Sequence, residues 1–337
     1  MKILTLLNKN DTLKNEVLKM KDYKHTVKVL DKLNFPADAK EAVVAAEEKI
    51  IADEKANKIY ESMYRAYWFK KKNFDTFRDK VDALAEITGV HKYTLHLVLL
   101  LNCTRPLLAE YKKQGISEDI YWNTIVDLRS KAYECKENYD VWGTFVEGWF
   151  LRFYKMERFG LGRFQFETNE FGQNYYNEFG VELFEDDFIL GMHIPSHLEP
   201  ITYEVRLDSY KKAAEFFKDR FPKGKMLVEC GSWLLYPDNL NIFPEKSNVR
   251  DFVLDWEPLD IKRTYDFGDA WRVFGVENGK KPLNELKGTT AMQKAYMDWF
   301  AQNKKVGTAS CILIFDMEKG EIVTRCSREE YKERYGY

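Results

Sequence analysis

Two groups suited to proton transfer stand at the ends of strand-like segments in the second half of the chain. Glu167 closes RFQFE, where the two-residue side-chain period sets Arg163, Gln165 and Glu167 on one face and Phe164 and Phe166 on the other. His193 lies near the end of the apolar run FILGMHI, just ahead of Pro195, so its ring falls at a sheet edge or in a cleft. A carboxylate or imidazole so placed can take a proton from a reacting group. Each also has a structural reading: Glu167 as the ion-pair partner of Arg163, and His193 as a hydrogen-bonded ring that fixes the turn. His197, further into the following segment, reads as exposed.

Cys230, in VECGSW, offers a thiol nucleophile if His193 lies on an adjacent strand, but without a depressed pKa it is a small packing residue. Ser232 lacks the GxSxG elbow, which argues against hydrolase chemistry. The block GSWLLYPDN suits a pocket wall: Gly231 permits close backbone approach, Trp233 provides a flat surface and Pro237 opens a turn. His193 and His197 have the spacing of a helical zinc site, yet Pro195 between them breaks such a helix, and no metal centre is expected. The cysteines, Cys103, Cys135, Cys230, Cys311 and Cys326, form no CxxC pair and read as reduced thiols.

The elements that must position these residues change character along the chain. From about Asp11 to Tyr154 apolar residues recur at three- and four-residue steps, as in the stripe Ile59, Tyr60, Met63, Tyr64, Tyr67 and Trp68. A longer stripe, from Val141 through Trp142, Phe145, Trp149 and Phe153 to Tyr154, predicts a helix of about four turns. Ser117 followed by Glu118 and Asp119 marks a helix start. Beyond Gly160 the period shortens: RFQFE alternates, and FILGMHI, MLVEC and SCILIF are buried-strand runs. Between them a helix is expected over Leu207 to Phe221, ended by Pro222 and Gly224, and another over Thr290 to Ala301. At 337 residues the chain exceeds what one core usually organises. The expected layout is a helical bundle over residues 1–157 and a mixed β-sheet domain with packed helices over residues 158–337, an α+β or α/β chain.

A net charge of -2 gives no basic footprint for nucleic acid. The longest apolar runs, such as LVLLL from Leu97 to Leu101, fall far short of the roughly 18 residues that span a bilayer, so no membrane association is expected. The apolar run in the opening MKILTLLNKND is too short for a signal peptide and lacks the cleavage pattern, so a cytoplasmic location is expected.

The succession LGRFQFE, LGMHIPS, a helix with Ser209-Tyr210 and Phe216-Phe217, SWLLYP, and Pro244 through Ser247-Asn248 resembles bacterial proteins that join an N-acyltransferase N-terminal helical domain to a GNAT-like C-terminal domain. The resemblance implies acyl-CoA or acetyl-CoA as co-substrate, held where two neighbouring strands splay. Its pyrophosphate would lie on amides between a strand and the next helix, here His193 to Asp208. Ile194, Ser196, His197, Arg206 and Ser209 are then the cofactor-binding candidates. Glu167 or His193 would be the base, Tyr203 the acid, and Cys230, Ser232 and Trp233 would line the substrate pocket for a small-molecule or peptide amine. The chain departs from the usual loop, because HIPSHLEPITYEVRLDS has no glycine and Pro195 and Pro200 remove two amide donors. That departure opens a second reading, a non-catalytic ligand-binding protein with a degenerate GNAT-like fold. The sequence sets no oligomeric state.

Overall fold

The computed structural model describes residues 23–337, so the opening run from Met1 and the first part of the helical pattern lie outside the described residues. The chain divides into two compact units, one reaching Phe159 and the other beginning at Gly160. Among the described residues no helix is long and apolar enough to cross a membrane.

The first unit is helical: α1 (Tyr23–Lys32), α2 (Ala37–Ala52), α3 (Glu54–Tyr64), α4 (Arg78–Thr88), α5 (Lys92–Lys113), α6 (Glu118–Ile125), α7 (Asp127–Tyr139) and α8 (Leu151–Tyr154). Helix α5 is its axis, because Leu97, Val98, Leu99, Leu100 and Leu101 are all buried and therefore every face needs a neighbour; α1, α2, α4, α6 and α7 provide them. The stripe Tyr60, Met63, Tyr64, Tyr67 and Trp68 is buried as its spacing predicts, although the helix loosens into a π-helical turn over Arg65–Phe69. Ser117 caps α6 by accepting the Ile120 N–H.

The long helix expected over Val141 to Tyr154 does not form. Helix α7 ends at Asp140, which adopts a left-handed backbone (φ 56°) and returns its N–H to Lys136 O. Gly143 then runs so close to Tyr93 that any Cβ would overlap the Tyr93 carbonyl, and the Thr144 N–H bonds to Tyr93 O at 3.0 Å. The aromatic spacing records burial of Phe150, Phe153 and Tyr154, which a short 3-10 turn and α8 achieve without a continuous helix.

β1 (Arg158–Leu161) crosses the boundary, and the second unit carries β2 (Phe164–Glu170), the separate hairpin β3 (Tyr175–Glu178) and β4 (Val181–Phe184), β5 (Phe188–His193), α9 (Tyr203–Phe216) and β6 (Lys225–Ser232). It continues through α10 (Asn239–Ile242), α11 (Asn248–Val253), β7 (Glu257–Thr264), α12 (Ala270–Phe274), α13 (Val276–Gly279), α14 (Ala291–Ala301), β8 (Val306–Asp316), β9 (Glu321–Ile322) and α15 (Arg328–Tyr335). The main sheet runs β1-β2-β5-β6-β8-β7, with β9 on β8. β2–β5, β6–β8 and β7–β8 are antiparallel and β5–β6 is parallel, so the sheet is mixed, with α9 as the crossover of its parallel pair. One face takes α9: Phe164 lies 5.7 Å from the Tyr210 ring and 5.8 Å from Phe252. A capping box between Thr290 and Gln293 starts α14 where the sequence indicates a helix.

Helix α9 begins four residues earlier than expected. Thr202 accepts the Val205 N–H, with Glu204 in the first turn, so Tyr203 and Arg206 stand on the helix rather than in a loop. The helix closes at Phe217, and the following 3-10 turn and Gly224 (φ 73°) lead into β6.

Candidate functional site

β2 and β5 pair so that Gln165 faces His193 and Glu167 faces Gly191. Residues paired across a sheet project to the same side, which gathers Gln165, Glu167 and His193 on one face, while Arg163 lies in the turn between β1 and β2. There His193 Nε2 lies 2.9 Å from Glu167 Oε1, with Glu167 8% exposed and His193 half-buried. An ionised carboxylate on an imidazole can orient the ring and stabilise its protonated form, an arrangement suited to proton transfer. Gly191 makes room for this, since a Cβ there would stand 3.2 Å from Glu167 Cγ.

The parallel ladder between β5 and β6 consists of Leu190 with Val228 and Gly191 with Glu229. β5 nonetheless continues to His193 and β6 to Ser232, so the two strands run on without pairing to each other beside the Glu167–His193 pair. The pairings also set Glu167, Gly191 and Glu229 in one row on one face. Glu229 is drawn towards β8 by the Ser310 hydroxyl, which donates to its Oε1 at 2.8 Å. Further along β6, Gly231 is exposed and a Cβ there would meet nothing within 4 Å. Gly191 and Gly231 thus carry no side chain on the sheet face that holds Glu167 and Glu229.

The remaining sequence candidates lie elsewhere. Cys230 projects to the opposite face of β6, pairs with Cys311 and is buried; burial, then the charge of Glu229, pushes its thiol up to about 12, so it is no nucleophile. Ser232 Oγ accepts the Leu234 N–H at 3.1 Å and turns the chain out of β6. The Trp233 ring packs near Phe267 and Tyr296.

Ile194, Ser196 and His197 do lie in the segment after β5, where His197 takes a left-handed backbone (φ 54°) and is exposed. Arg206 and Ser209 do not. Ser209 is buried, accepts the Phe164 N–H at 3.1 Å and donates to Leu161 O, tying α9 to the start of β2. Arg206 is fully buried and bonds Asp255 Oδ2 and Asp251 Oδ2, each at 2.7 Å, and Ile201 O at 2.7 Å. Arg325 joins both aspartates from the chain after β9. Every edge of the Arg206 guanidinium is therefore committed inside the fold, which leaves it no phosphate to bind. The Tyr203 ring lies against this cluster, 4.6 Å from the Arg325 guanidinium carbon and 5.7 Å from that of Arg206.

Gln165, Gly191 and Glu229 are site residues that residue types alone did not single out. Alternation along RFQFE put Gln165 on the face of Glu167, whereas Gly191 and Glu229 enter only through the register. Among the described residues no group of three or more His, Cys, Asp or Glu is arranged to hold a metal ion.

The comparisons with known proteins fit this architecture. Residues 24–156 match the family model of the N-acyltransferase N-terminal domain, and residues 159–313 that of the GNAT-like C-terminal domain. None of the curated proteins matches the chain. Among solved structures, an acyltransferase mutant in complex with octanoyl-CoA is similar at TM-score 0.61 and 17% identity, over 86% of this chain and 87% of that one. An acyltransferase in complex with decanoyl-CoA and teicoplanin has the same TM-score of 0.61, 17% identity and coverage of 86% and 87%. A third, in complex with decanoyl-CoA, has TM-score 0.59 and 20% identity over 85% and 86%. At these identities the likeness is one of fold. With both domain models matched in order along it, the chain belongs to the family that joins an N-acyltransferase N-terminal domain to a GNAT-like C-terminal domain.

Proposed function

We propose that the protein transfers an acyl group from an acyl-CoA thioester to the amine of a small-molecule or peptide acceptor. The observation that carries this reading is that pairing between β5 and β6 stops after Gly191 and Glu229 although both strands continue. An extended thioester arm can lie in such a gap, with strand edges to bond it and glycines to admit it. The acyl-CoA complexes of structures with this fold support the same co-substrate, and the teicoplanin complex supports a small-molecule acceptor.

The Glu167–His193 pair stands at that gap as the base. The acceptor nitrogen attacks the thioester carbonyl as the pair takes a proton from it; the C–N bond forms, the C–S bond breaks, and the proton passes to the departing CoA thiolate. The chemistry needs no metal. Calorimetric titration with acetyl-CoA and longer acyl-CoAs tests the reading: micromolar binding, about -8 kcal/mol, is expected, followed by amine-dependent release of free CoA thiol. Absence of binding at every chain length would sink it.

A second reading, a non-catalytic ligand-binding protein on the same scaffold, draws on the glycine-free segment after β5, where Pro195 and Pro200 withhold two amides. It predicts no saturable CoA binding and no thiol release.

A further inference from the structure

Arg163 lies in the turn that immediately precedes β2 and is 7% exposed, yet no acidic side chain lies within ion-pair distance of it among the described residues. Its Nε donates to Glu199 O at 2.7 Å, which places the guanidinium beside the segment that follows β5, and its buried NH1 has no hydrogen-bond partner. Two residues on, Gln165 is 2% exposed and neither its Nε2 nor its Oε1 has a partner. Buried polar atoms of this kind are costly to leave without partners, and more so on a guanidinium that the Glu199 charge favours without forming an ion pair. Arg206 shows the contrast: fully buried, it meets two carboxylates of its own fold.

We propose that Arg163, assisted by the Gln165 carboxamide, binds an oxyanion beside the segment Ile194 to Thr202, in place of the main-chain amides that Pro195 and Pro200 withhold. A guanidinium is suited to this because it presents fixed, charge-assisted donors to phosphate or carboxylate oxygens. Its Nε contact with Glu199 O leaves NH1 and the Gln165 amide to the ligand. The oxyanion has two chemical sources, the pyrophosphate of CoA and a carboxylate of the acceptor. This assignment rests on the acyl-transfer reading for its biological ligand, but the binding chemistry can be tested without it.

The test is calorimetric titration of the full chain and of Arg163→Met, Arg163→Lys and Gln165→Leu with inorganic pyrophosphate, CoA, succinate and phosphate-free pantetheine, each variant checked by its melting curve. Arg163→Met is expected to lose at least tenfold in affinity for an oxyanion probe and to bind pantetheine as the parent does. Loss confined to pyrophosphate and CoA identifies the cofactor phosphate; loss confined to succinate identifies an acceptor carboxylate. If Arg163→Met does not fold, Arg163→Lys, which keeps the charge but loses the fork, is expected to show a smaller loss in the same probes. Parent-like affinity for every probe in the folded Arg163 variants overturns the assignment while leaving acyl transfer standing. Arg163-dependent pyrophosphate binding in a protein that never binds acyl-CoA keeps the assignment and removes the acyl-transfer reading. A parent protein that binds none of the oxyanions removes both.

Discussion

Gly191 stands directly opposite Glu167 across β5 and β2, and the space a side chain would fill at Gly191 is taken by Glu167, whose Oε1 is 3.5 Å from the position of an added Cβ. The glycine thereby sets where the carboxylate meets His193. Gly191→Ala is expected to push Glu167 by a few tenths of an ångström and lower the rate of CoA release at saturating acyl-CoA by about tenfold, since small misplacements of a catalytic group are expensive. The check is the turnover number beside an unchanged calorimetric affinity for acyl-CoA. A variant with parental turnover would show that Glu167 need not be held in this position.

In the proposed acyl transfer Glu167 and His193 act as one base, so their substitutions are expected not to add. Glu167→Gln and His193→Asn should each lower turnover by roughly 10² to 10⁴, and the double variant should be no slower than the worse single one. Steady-state rates for the three variants decide this. Multiplying effects would mean two independent roles.

The sequence carried the identities of Glu167 and His193 because both end apolar strands, and strand ends can be read from alternation and from Pro195. It did not carry their 2.9 Å contact, which depends on pairing β2 with β5 around an intervening hairpin. Glu229 was hidden for the same reason, since its place beside Gly191 comes from a parallel pairing across α9. Arg206 suggested a phosphate ligand because its partners, Asp251 and Asp255, lie more than forty residues away. In the helical unit, the Val141 to Tyr154 stripe shows that periodicity reports burial, while a left-handed Asp140 and the close approach of Gly143 decide whether the backbone stays helical.

The Arg206 cluster should be a stability element and not a ligand site. Arg206→Met leaves the buried Asp255 with only Arg325, and breaking a buried pair from one side costs about 3 to 5 kcal/mol. Urea denaturation should show that loss, with acyl-CoA affinity at the parental value at temperatures where the variant remains folded. For Asp251, partial burial opposes ionisation, but hydrogen bonds from Arg206 and Arg325 outweigh it and hold the carboxyl below its ordinary value of 3.8. A depressed carboxyl contributes its stability above the unfolded-state value and loses it as the pH falls through the folded one, so the Asp251 contribution should fade only below about pH 4. A variant as stable as the parent at neutral pH would contradict this.

His96 gives the helical unit a pH dependence of its own. Its ring is buried, with Nδ1 3.2 Å from Thr144 O and 3.5 Å from Glu147 Oε2, and packs against Phe74 at 4.9 Å. Burial lowers its pKa from the ordinary 6.5; the Glu147 charge and the Thr144 hydrogen bond pull the other way, while Lys92 and His91 add to the lowering. A histidine whose folded value is depressed leaves the unfolded chain holding more protons below 6.5, so stability is complete above that pH and declines as the pH falls towards the folded value. The helical unit should thus melt at lower temperature at pH 5.5 than at pH 7.5. His96→Asn keeps a side-chain N–H for Thr144 O and cannot be protonated, and is expected to narrow that difference while costing some stability at both pH values through lost packing. Calorimetric melts of the two proteins at both pH values measure the effect, and an unchanged difference would assign the pH dependence to other groups.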